Sequence, residues 1–208
     1  MSRFPAAHFL ISAATAAQFP ADVGAEVAFA GRSNAGKSSA INAIVQRQGL
    51  ARTSKTPGRT RLLNFFALGP ASRLVDLPGY GYASAPPAER RAWPALLEAL
   101  RTRASLRGLF LIVDARRGLT AADEGLLAWV EPPRRVHVLL SKADKLGRGA
   151  GAAALKAAAG QLAARASAQL FSALDGTGVR EAQDTLEAWL GPQAAIKNPG
   201  GTSTAGAD

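Results

Sequence analysis

Eight residues, Gly31-Arg32-Ser33-Asn34-Ala35-Gly36-Lys37-Ser38, have the spacing G-x-x-x-x-G-K-[ST]. Each residue type suits the binding of a phosphate chain. Glycines let the backbone wrap an anion with its N–H groups turned inward. A helix starting at the lysine adds the positive end of its dipole. Lys37 can reach the outer phosphates as a point charge, and the Ser38 hydroxyl is a hard oxygen ligand for magnesium. A Gly-rich turn between a strand and a helix would show some of the same residues. Context favours the cradle: the motif follows the apolar run Val27-Ala28-Phe29-Ala30 and precedes Ala40-Ile41-Asn42-Ala43-Ile44-Val45.

Three further clusters complement it. Arg73-Leu74-Val75-Asp76-Leu77-Pro78-Gly79 reads as an apolar strand with a carboxylate at its end and a glycine three residues on. Asp76 is placed to hold magnesium directly or through water, and the Gly79 N–H to bond a terminal phosphate, so this loop would respond to hydrolysis. Ser141-Lys142-Ala143-Asp144 follows another apolar run. A carboxylate there can accept from both N1–H and the exocyclic amine of guanine, while the Lys142 stem covers the purine face. Phe171-Ser172-Ala173 is expected to offer a backbone N–H to guanine O6. Taken singly, Lys-Ala-Asp is also an ordinary helix start and Ser-Ala-Leu an ordinary turn. The order and spacing of all four motifs separate them from chance.

These motifs need a scaffold in which strands end at one edge and helices begin there. Short β-branched or aromatic runs alternate with longer helical patterns, which indicates an α/β fold. Strands are expected at 26–30, 62–68, 73–76, 109–114, 136–140 and 169–172, and helices at 37–47, 88–105, 121–130, 151–166 and 179–190. Gly69-Pro70-Ala71-Ser72 is short enough for a hairpin, so a mostly parallel central sheet with one antiparallel strand pair, helices on both faces, is the expected architecture. Pro94 should kink its helix or mark the true start. Residues 1–23 read as an N-terminal extension, 24–191 as the nucleotide-binding domain, and 192–208, rich in Gly, Ala, Thr and Ser, as a disordered tail. Trp93, Trp129 and Trp189 fall on helical patterns and read as packing residues.

The 208-residue chain carries a formal net charge of +10, is 48% hydrophobic and contains no cysteine. Disulfide frameworks, thiolate zinc sites and cysteine nucleophiles are therefore excluded. With two histidines, His8 and His137, there is little material for a histidine metal cluster. No apolar run reaches the length of a membrane span, and no signal-peptide core is present, so a cytoplasmic protein without membrane attachment is expected. From Val27 to Val75 there is no Asp or Glu, yet Arg32, Lys37, Arg47, Arg52, Lys55, Arg59, Arg61 and Arg73 all lie there. A second group is Arg90, Arg91, Arg101, Arg103 and Arg107. Charge concentrated this way favours phosphate-rich partners.

With these residues in view the chain resembles the translation-factor-like GTPases. More narrowly it resembles the EngB (YihA/YsxC) family of ribosome-biogenesis GTPases. The resemblance rests on Phe29 through Ser39, Thr53-Ser54-Lys55-Thr56-Pro57-Gly58-Arg59-Thr60, Asn64-Phe65-Phe66, Asp76-Leu77-Pro78-Gly79-Tyr80-Gly81-Tyr82-Ala83 and Ser141 through Leu146. It implies the P-loop GTPase fold and GTP/GDP as ligands with magnesium. Thr60 matches the switch threonine that completes magnesium coordination beside Ser38. Gly58, Arg59, Arg61 and Leu62 flank it in the nucleotide-contacting switch. Asn34 occupies the position that coordinates a potassium ion in related GTPases. The resemblance further implies a role in assembling the large ribosomal subunit, with its rRNA as partner, and a link to normal cell division and septation. Ser141 departs from the Asn common at that position, which leaves base specificity resting on Asp144. A monomer is expected.

Many GTPases place a water-orienting Gln directly after D-x-x-G. Here that residue is Tyr80, so slow intrinsic hydrolysis is expected, with Lys37, Thr60 and Gly79 carrying the charge stabilisation. Tyr80 and Tyr82 could stack on unpaired bases or pack within the switch loop. Two competing readings are a P-loop ATPase or small-molecule kinase, against which Asp144 argues, and a basic RNA-binding module with a vestigial nucleotide site, against which Lys37, Ser38, Thr60 and Asp76 argue.

Overall fold

A computed structural model of the chain describes residues 2–51, 62–80 and 87–191, with the backbone alone for 87–92. Its elements are β1 (His8–Ala13), β2 (Ala25–Gly31), α1 (Lys37–Val45), β3 (Leu63–Gly69), β4 (Ser72–Asp76), α2 (Pro87–Arg101), β5 (Leu106–Asp114), α3 (Ala121–Trp129), β6 (Arg135–Ser141), α4 (Arg148–Leu162), β7 (Ser167–Leu170) and α5 (Val179–Leu190). The strands form one seven-stranded sheet in the order β1-β3-β4-β2-β5-β6-β7.

Apolar residues on both faces of the central strands dictate the layering. Every residue of β2 is buried, and β5 is buried at all positions but Arg107. Alternate residues feed two cores. Val27, Phe29, Phe110 and Ile112 meet Ile41 and Ile44 of α1 and Leu186 of α5. Ala28, Ala30, Leu109 and Leu111 meet Leu100 of α2, Leu127 of α3 and Leu162 of α4. Phe29 and Phe110 stack with centroids 4.9 Å apart, and Trp189 adds its ring 5.1 Å from Phe110. Trp93 and Trp129 are partly buried against the second core, the packing role expected of them.

The hairpin between β3 and β4 is antiparallel, and the pairings β2·β4, β2·β5, β5·β6 and β6·β7 are parallel. A second antiparallel pairing, β1 on β3, comes from the stretch expected to be an extension. That strand is hard to read because it sits at the sheet edge, exposes Phe9 and Leu10, and has a register shift between Phe9 and Ile11 that breaks its alternation. The helix containing Pro94 continues through it. β7 ends at Leu170, so Phe171-Ser172-Ala173 belongs to the following loop rather than to the strand. The tail from 192 lies outside the described residues. Among the described residues, no helix is long and apolar enough to cross a membrane.

Register places the chemistry. Phe29 pairs with Asp76, Gly31 with Ile112, and Asp114 with Ser141. The carboxyl ends of β2, β4, β5 and β6 therefore open at one edge of the sheet, where open α/β sheets bind ligands.

Candidate functional site

The chain leaves β2 at Gly31 and turns through Asn34 (φ 64°) and Gly36 (φ 96°) before α1 begins at Lys37. Both turning residues are left-handed, a conformation that glycine adopts without strain. Ala35 N–H donates to the Arg32 carbonyl at 3.0 Å and Ser33 N–H to the Tyr80 carbonyl at 3.0 Å. The N–H groups of Gly36, Lys37 and Ser38 donate to no acceptor among the described residues. The loop thus turns a set of unused donors, at the positive end of α1, toward the edge of the sheet.

Asp76, at the end of β4, is buried and receives an ion pair from Lys37 Nζ. Leu77 N–H returns to the Phe29 carbonyl at 2.9 Å while its side chain enters the core, and Pro78 follows at the surface. Gly79 lies directly on the phosphate-type loop. A Cβ there would come within 2.7 Å of Ser33 Oγ and 3.1 Å of Ser33 Cα, so no larger residue fits.

The Ser141–Asp144 segment approaches from β6. Ser141 Oγ donates to the Ala35 carbonyl at 2.5 Å, with the Val113 carbonyl at 3.1 Å. Its hydroxyl braces the loop rather than facing outward. Lys142, left-handed at φ 60°, sends its Nζ to the Asn34 carbonyl at 2.6 Å and to Asp114 Oδ2 at 2.9 Å. Its stem therefore spans from the base-side loop to the phosphate-side loop. Ala143 N–H donates to the Phe171 carbonyl at 3.1 Å, which ties this segment to the loop after β7. Ser172 Oγ donates to Asp144 Oδ1 at 2.8 Å, and Lys145 Nζ lies 3.1 Å from Oδ2. The Ser172 hydroxyl bond, followed by that of Lys145, holds the Asp144 carboxyl below its ordinary range, so it stays ionised. Phe171 and Ser172 use their N–H groups on Leu140 and Thr177 carbonyls, whereas Ala173 is exposed and its N–H has no acceptor among the described residues.

All four predicted clusters meet at this edge. Leu62 is half-buried just before β3, while Gly58, Arg59, Thr60 and Arg61 lie outside the described residues. Three participants were not anticipated. Asp114 accepts from Arg116 Nε at 2.9 Å and Nη2 at 2.7 Å as well as from Lys142, and the Arg116 guanidinium, then Lys142, hold its carboxyl well below the usual range. Asp123 receives the Tyr80 hydroxyl. The available signal was weak: an aspartate ending an apolar strand, and a Thr-x-x-Asp helix start. A cavity of about 410 Å³ flanks the loop here, lined among others by Arg32, Asn34, Tyr80, Arg117 and Thr120.

The charge reading also changes. Arg73 and Arg103, counted above as phosphate-seeking, are paired with Glu26 at the opposite end of the sheet, Arg103 buried and Arg73 partly so. Arg101 is held by Glu98 and Glu131, and Arg47 bonds the Ala7 carbonyl.

Comparison with known proteins agrees with this geometry. Residues 26–142 match the family model described as "50S ribosome-binding GTPase". The "Probable GTP-binding protein EngB" of Azoarcus sp. strain BH72 is 51% identical over 201 residues, covering 94% of this chain and 96% of the relative. The protein of the same name from Methylococcus capsulatus is 52% identical over 177 residues, covering 82% and 84%. Among solved structures, a probable GTP-binding protein EngB superposes with TM-score 0.63 at 21% identity, covering 80% of this chain and 98% of that one. Era, crystallised with MgGDPNP and a fragment of 16S ribosomal RNA, gives 0.60 at 20% identity, covering 84% and 59%. These two structures support the P-loop GTPase fold. From its sequence relatives and the matched family model, the chain belongs to the EngB family of GTP-binding proteins.

Proposed function

We propose that this chain is a GTP-binding and GTP-hydrolysing switch that acts in assembly of the large ribosomal subunit. The observation that carries the reading is the meeting, at one sheet edge, of a turn with unused N–H donors and a carboxylate braced by Ser172. The first suits a phosphate chain. The second suits the paired donors of guanine, which adenine lacks. Gly31, Arg32, Ser33, Asn34, Ala35, Gly36, Lys37 and Ser38 form the phosphate side. Ser141, Lys142, Ala143, Asp144, Phe171, Ser172 and Ala173 form the base side, and the Ala173 N–H, which has no acceptor among the described residues, is the donor suited to guanine O6.

Lys37 leaves Asp76 to neutralise the outer phosphates, and the Gly79 N–H bonds the terminal one. Asp76, which meets Lys37, and Ser38, the residue after it, offer a carboxylate and a hydroxyl, a donor set that fits magnesium; Thr60 would complete it. When bound, the ion neutralises charge between the last two phosphates. Asn34 is the residue through which potassium would act. Tyr80 has no amide to orient an attacking water, which supports slow intrinsic turnover. The family model's description and the acid-free stretch support a ribosomal, rRNA-bearing partner. A monomer, a cytoplasmic location and a link to cell division complete the proposal.

Competition for bound GDP tests the base site. Guanosine nucleotides should displace it at least tenfold better than inosine nucleotides, which lack the exocyclic amine, and adenosine nucleotides should not compete. Asp144→Ala should erase the guanosine-over-inosine preference. Equal competition by adenosine nucleotides would overturn the assignment. Co-sedimentation with large subunits then tests the partner: binding that requires a GTP analogue and persists at moderate salt is expected. Binding that ignores the nucleotide and disappears with salt would reduce it to non-specific electrostatics. Equal hydrolysis in potassium and sodium would remove the role of Asn34.

A further inference from the structure

Tyr80 is fixed at three points. Its carbonyl accepts Ser33 N–H at 3.0 Å and its N–H reaches the Gly31 carbonyl at 3.4 Å, so its backbone pairs with the phosphate-type loop. Its hydroxyl donates to Asp123 Oδ1, across the boundary between that loop and α3. Asp123 stands in the first turn of α3, where a helix-capping aspartate is normally solvated. Here it is 1% exposed. Its other oxygen accepts Thr120 N–H at 2.7 Å and Thr120 Oγ1 at 2.6 Å. One buried carboxylate therefore ties the start of α3 to the residue that follows Gly79. Burial and the Asp123 bond both push the Tyr80 phenol far above its ordinary pKa, so it remains a hydrogen-bond donor at physiological pH.

The consequence falls on Gly79, which is wedged on Ser33 and precedes the latched residue. We infer that Asp123 is a positioning residue: through the Tyr80 hydroxyl it holds the Gly79 N–H in place, so that recognition of the terminal phosphate of GTP, but not binding of GDP, depends on a helix outside the nucleotide cradle. The inference rests on the proposed GTP-binding role. A ligand can shift the loop only by the difference in its affinity for the latched and released arrangements. GDP has no group at the Gly79 position, so its affinity is insensitive to the latch. GTP binding gains from a Gly79 already in register, because less ordering remains to be done on binding.

Tyr80→Phe removes the hydroxyl and leaves the Thr120 cap intact. Its dissociation constant for a non-hydrolysable GTP analogue should rise about tenfold while that for GDP stays within twofold. Asp123→Asn, with a single amide oxygen for three donors, should move the ratio in the same direction and serves if the first variant folds poorly. Thr120→Ala weakens the cap but spares the latch, so it should lower the melting temperature with the GTP-to-GDP ratio unchanged. Equal loss of both nucleotides in Tyr80→Phe, or the same ratio change in Thr120→Ala, would overturn the inference. Amide exchange in the nucleotide-free protein separates the two readings. Tyr80 N–H should exchange about tenfold faster in Tyr80→Phe, even if the wild type binds no guanine nucleotide and the proposed function fails. Unchanged exchange would remove the latch by itself.

Discussion

At the amino-terminal ends of the strands Glu26 is enclosed by Arg73 and Arg103; at the carboxyl ends Asp76 holds Lys37, and Asp114 holds Lys142 and Arg116. The residue types are alike and the accounting differs. Glu26, 0% exposed, accepts from Arg73 Nε at 2.8 Å and from Arg103 Nε and Nη2 at 2.6 and 2.9 Å. Nη2 of Arg73 also donates to the Ala21 carbonyl at 2.7 Å, and Nη2 of Arg103 to the Pro20 carbonyl at 2.9 Å. That end is closed. At the other end the pairs surround a turn whose Gly36, Lys37 and Ser38 N–H groups have no acceptor among the described residues. A buried charge is a structural fixture when its own oxygens are taken up by its neighbours, and part of a binding site when donors beside it are left over.

The sharpest way to break this comparison is Glu26→Ala. The buried guanidinium of Arg103 and the partly buried one of Arg73 would lose their counter-charge, and removal of one partner from such a network costs about 3–5 kcal/mol. Urea unfolding should show that loss. The protein that remains folded should bind GDP with wild-type affinity, because no atom of this network touches the opposite edge. A parallel fall in GDP affinity would mean that the two ends are coupled.

Lys37→Ala is the counterpart at the open end. Losing one charge-assisted contact to phosphate removes about 1.5–3 kcal/mol, roughly 10- to 100-fold in GDP affinity by calorimetry. The stability loss should be smaller than for Glu26→Ala, since Asp76 borders a cradle that water can enter. If the two variants lose equal stability, the distinction between closed and open ends fails.

Gly79→Ala probes the contact on which the open end is assembled. Its Cβ meets Ser33 backbone and side chain at 2.7–3.2 Å, so the loop carrying Asp76 and Gly79 must shift. The expected cost is about 1–3 kcal/mol, the range for a methyl forced into a packed site. It should appear in GTP-analogue binding more than in melting temperature, because the strain is relieved by moving the loop outward. A pure stability loss with unchanged analogue affinity would place the strain in the scaffold.

These two ends were unequally legible in the sequence. The phosphate-type loop, Asp76 and the Ser141–Asp144 segment were readable because each couples a local pattern to a strand end, and backbone geometry follows from that pattern. Glu26 looked like the polar first residue of a strand, and Arg73 and Arg103 looked like surface charge. Their pairing depends on residues 47 and 77 positions apart, which no local period encodes. The Ser141 brace, the Lys142 crossing and the Tyr80–Asp123 bond are likewise products of tertiary placement. β1 escaped for a related reason: an edge strand with exposed apolar residues lacks the alternation that identifies a half-buried one.

The smallest expected effect concerns a titratable group near the closed end. His137 in β6 is buried, with Nδ1 2.6 Å from Ser167 Oγ, Nε2 2.8 Å from Gln169 Oε1, and its ring nearly perpendicular to that of Phe110 with centroids 5.5 Å apart. The Gln169 amide nitrogen donates to the Gly178 carbonyl at 2.7 Å, so its oxygen faces the ring and Nε2 must be the donor. Nδ1 then accepts from Ser167, and the ring is neutral. Burial pushes its pKa below the ordinary 6.5, against a smaller opposite effect from Gln169. Between the folded value and 6.5 the unfolded chain binds the extra proton. Stability is therefore complete above pH 6.5 and declines as the pH falls through that value toward the folded one. One proton limits the slope to about 1.4 kcal/mol per pH unit, so a decline no steeper than that is expected between pH 7 and 5.5. His137→Gln should flatten that decline in urea midpoints measured at the two pH values. An equally steep decline in the variant would show that the acid sensitivity in that range does not come from this ring, and the closed end would then contribute no pH dependence there.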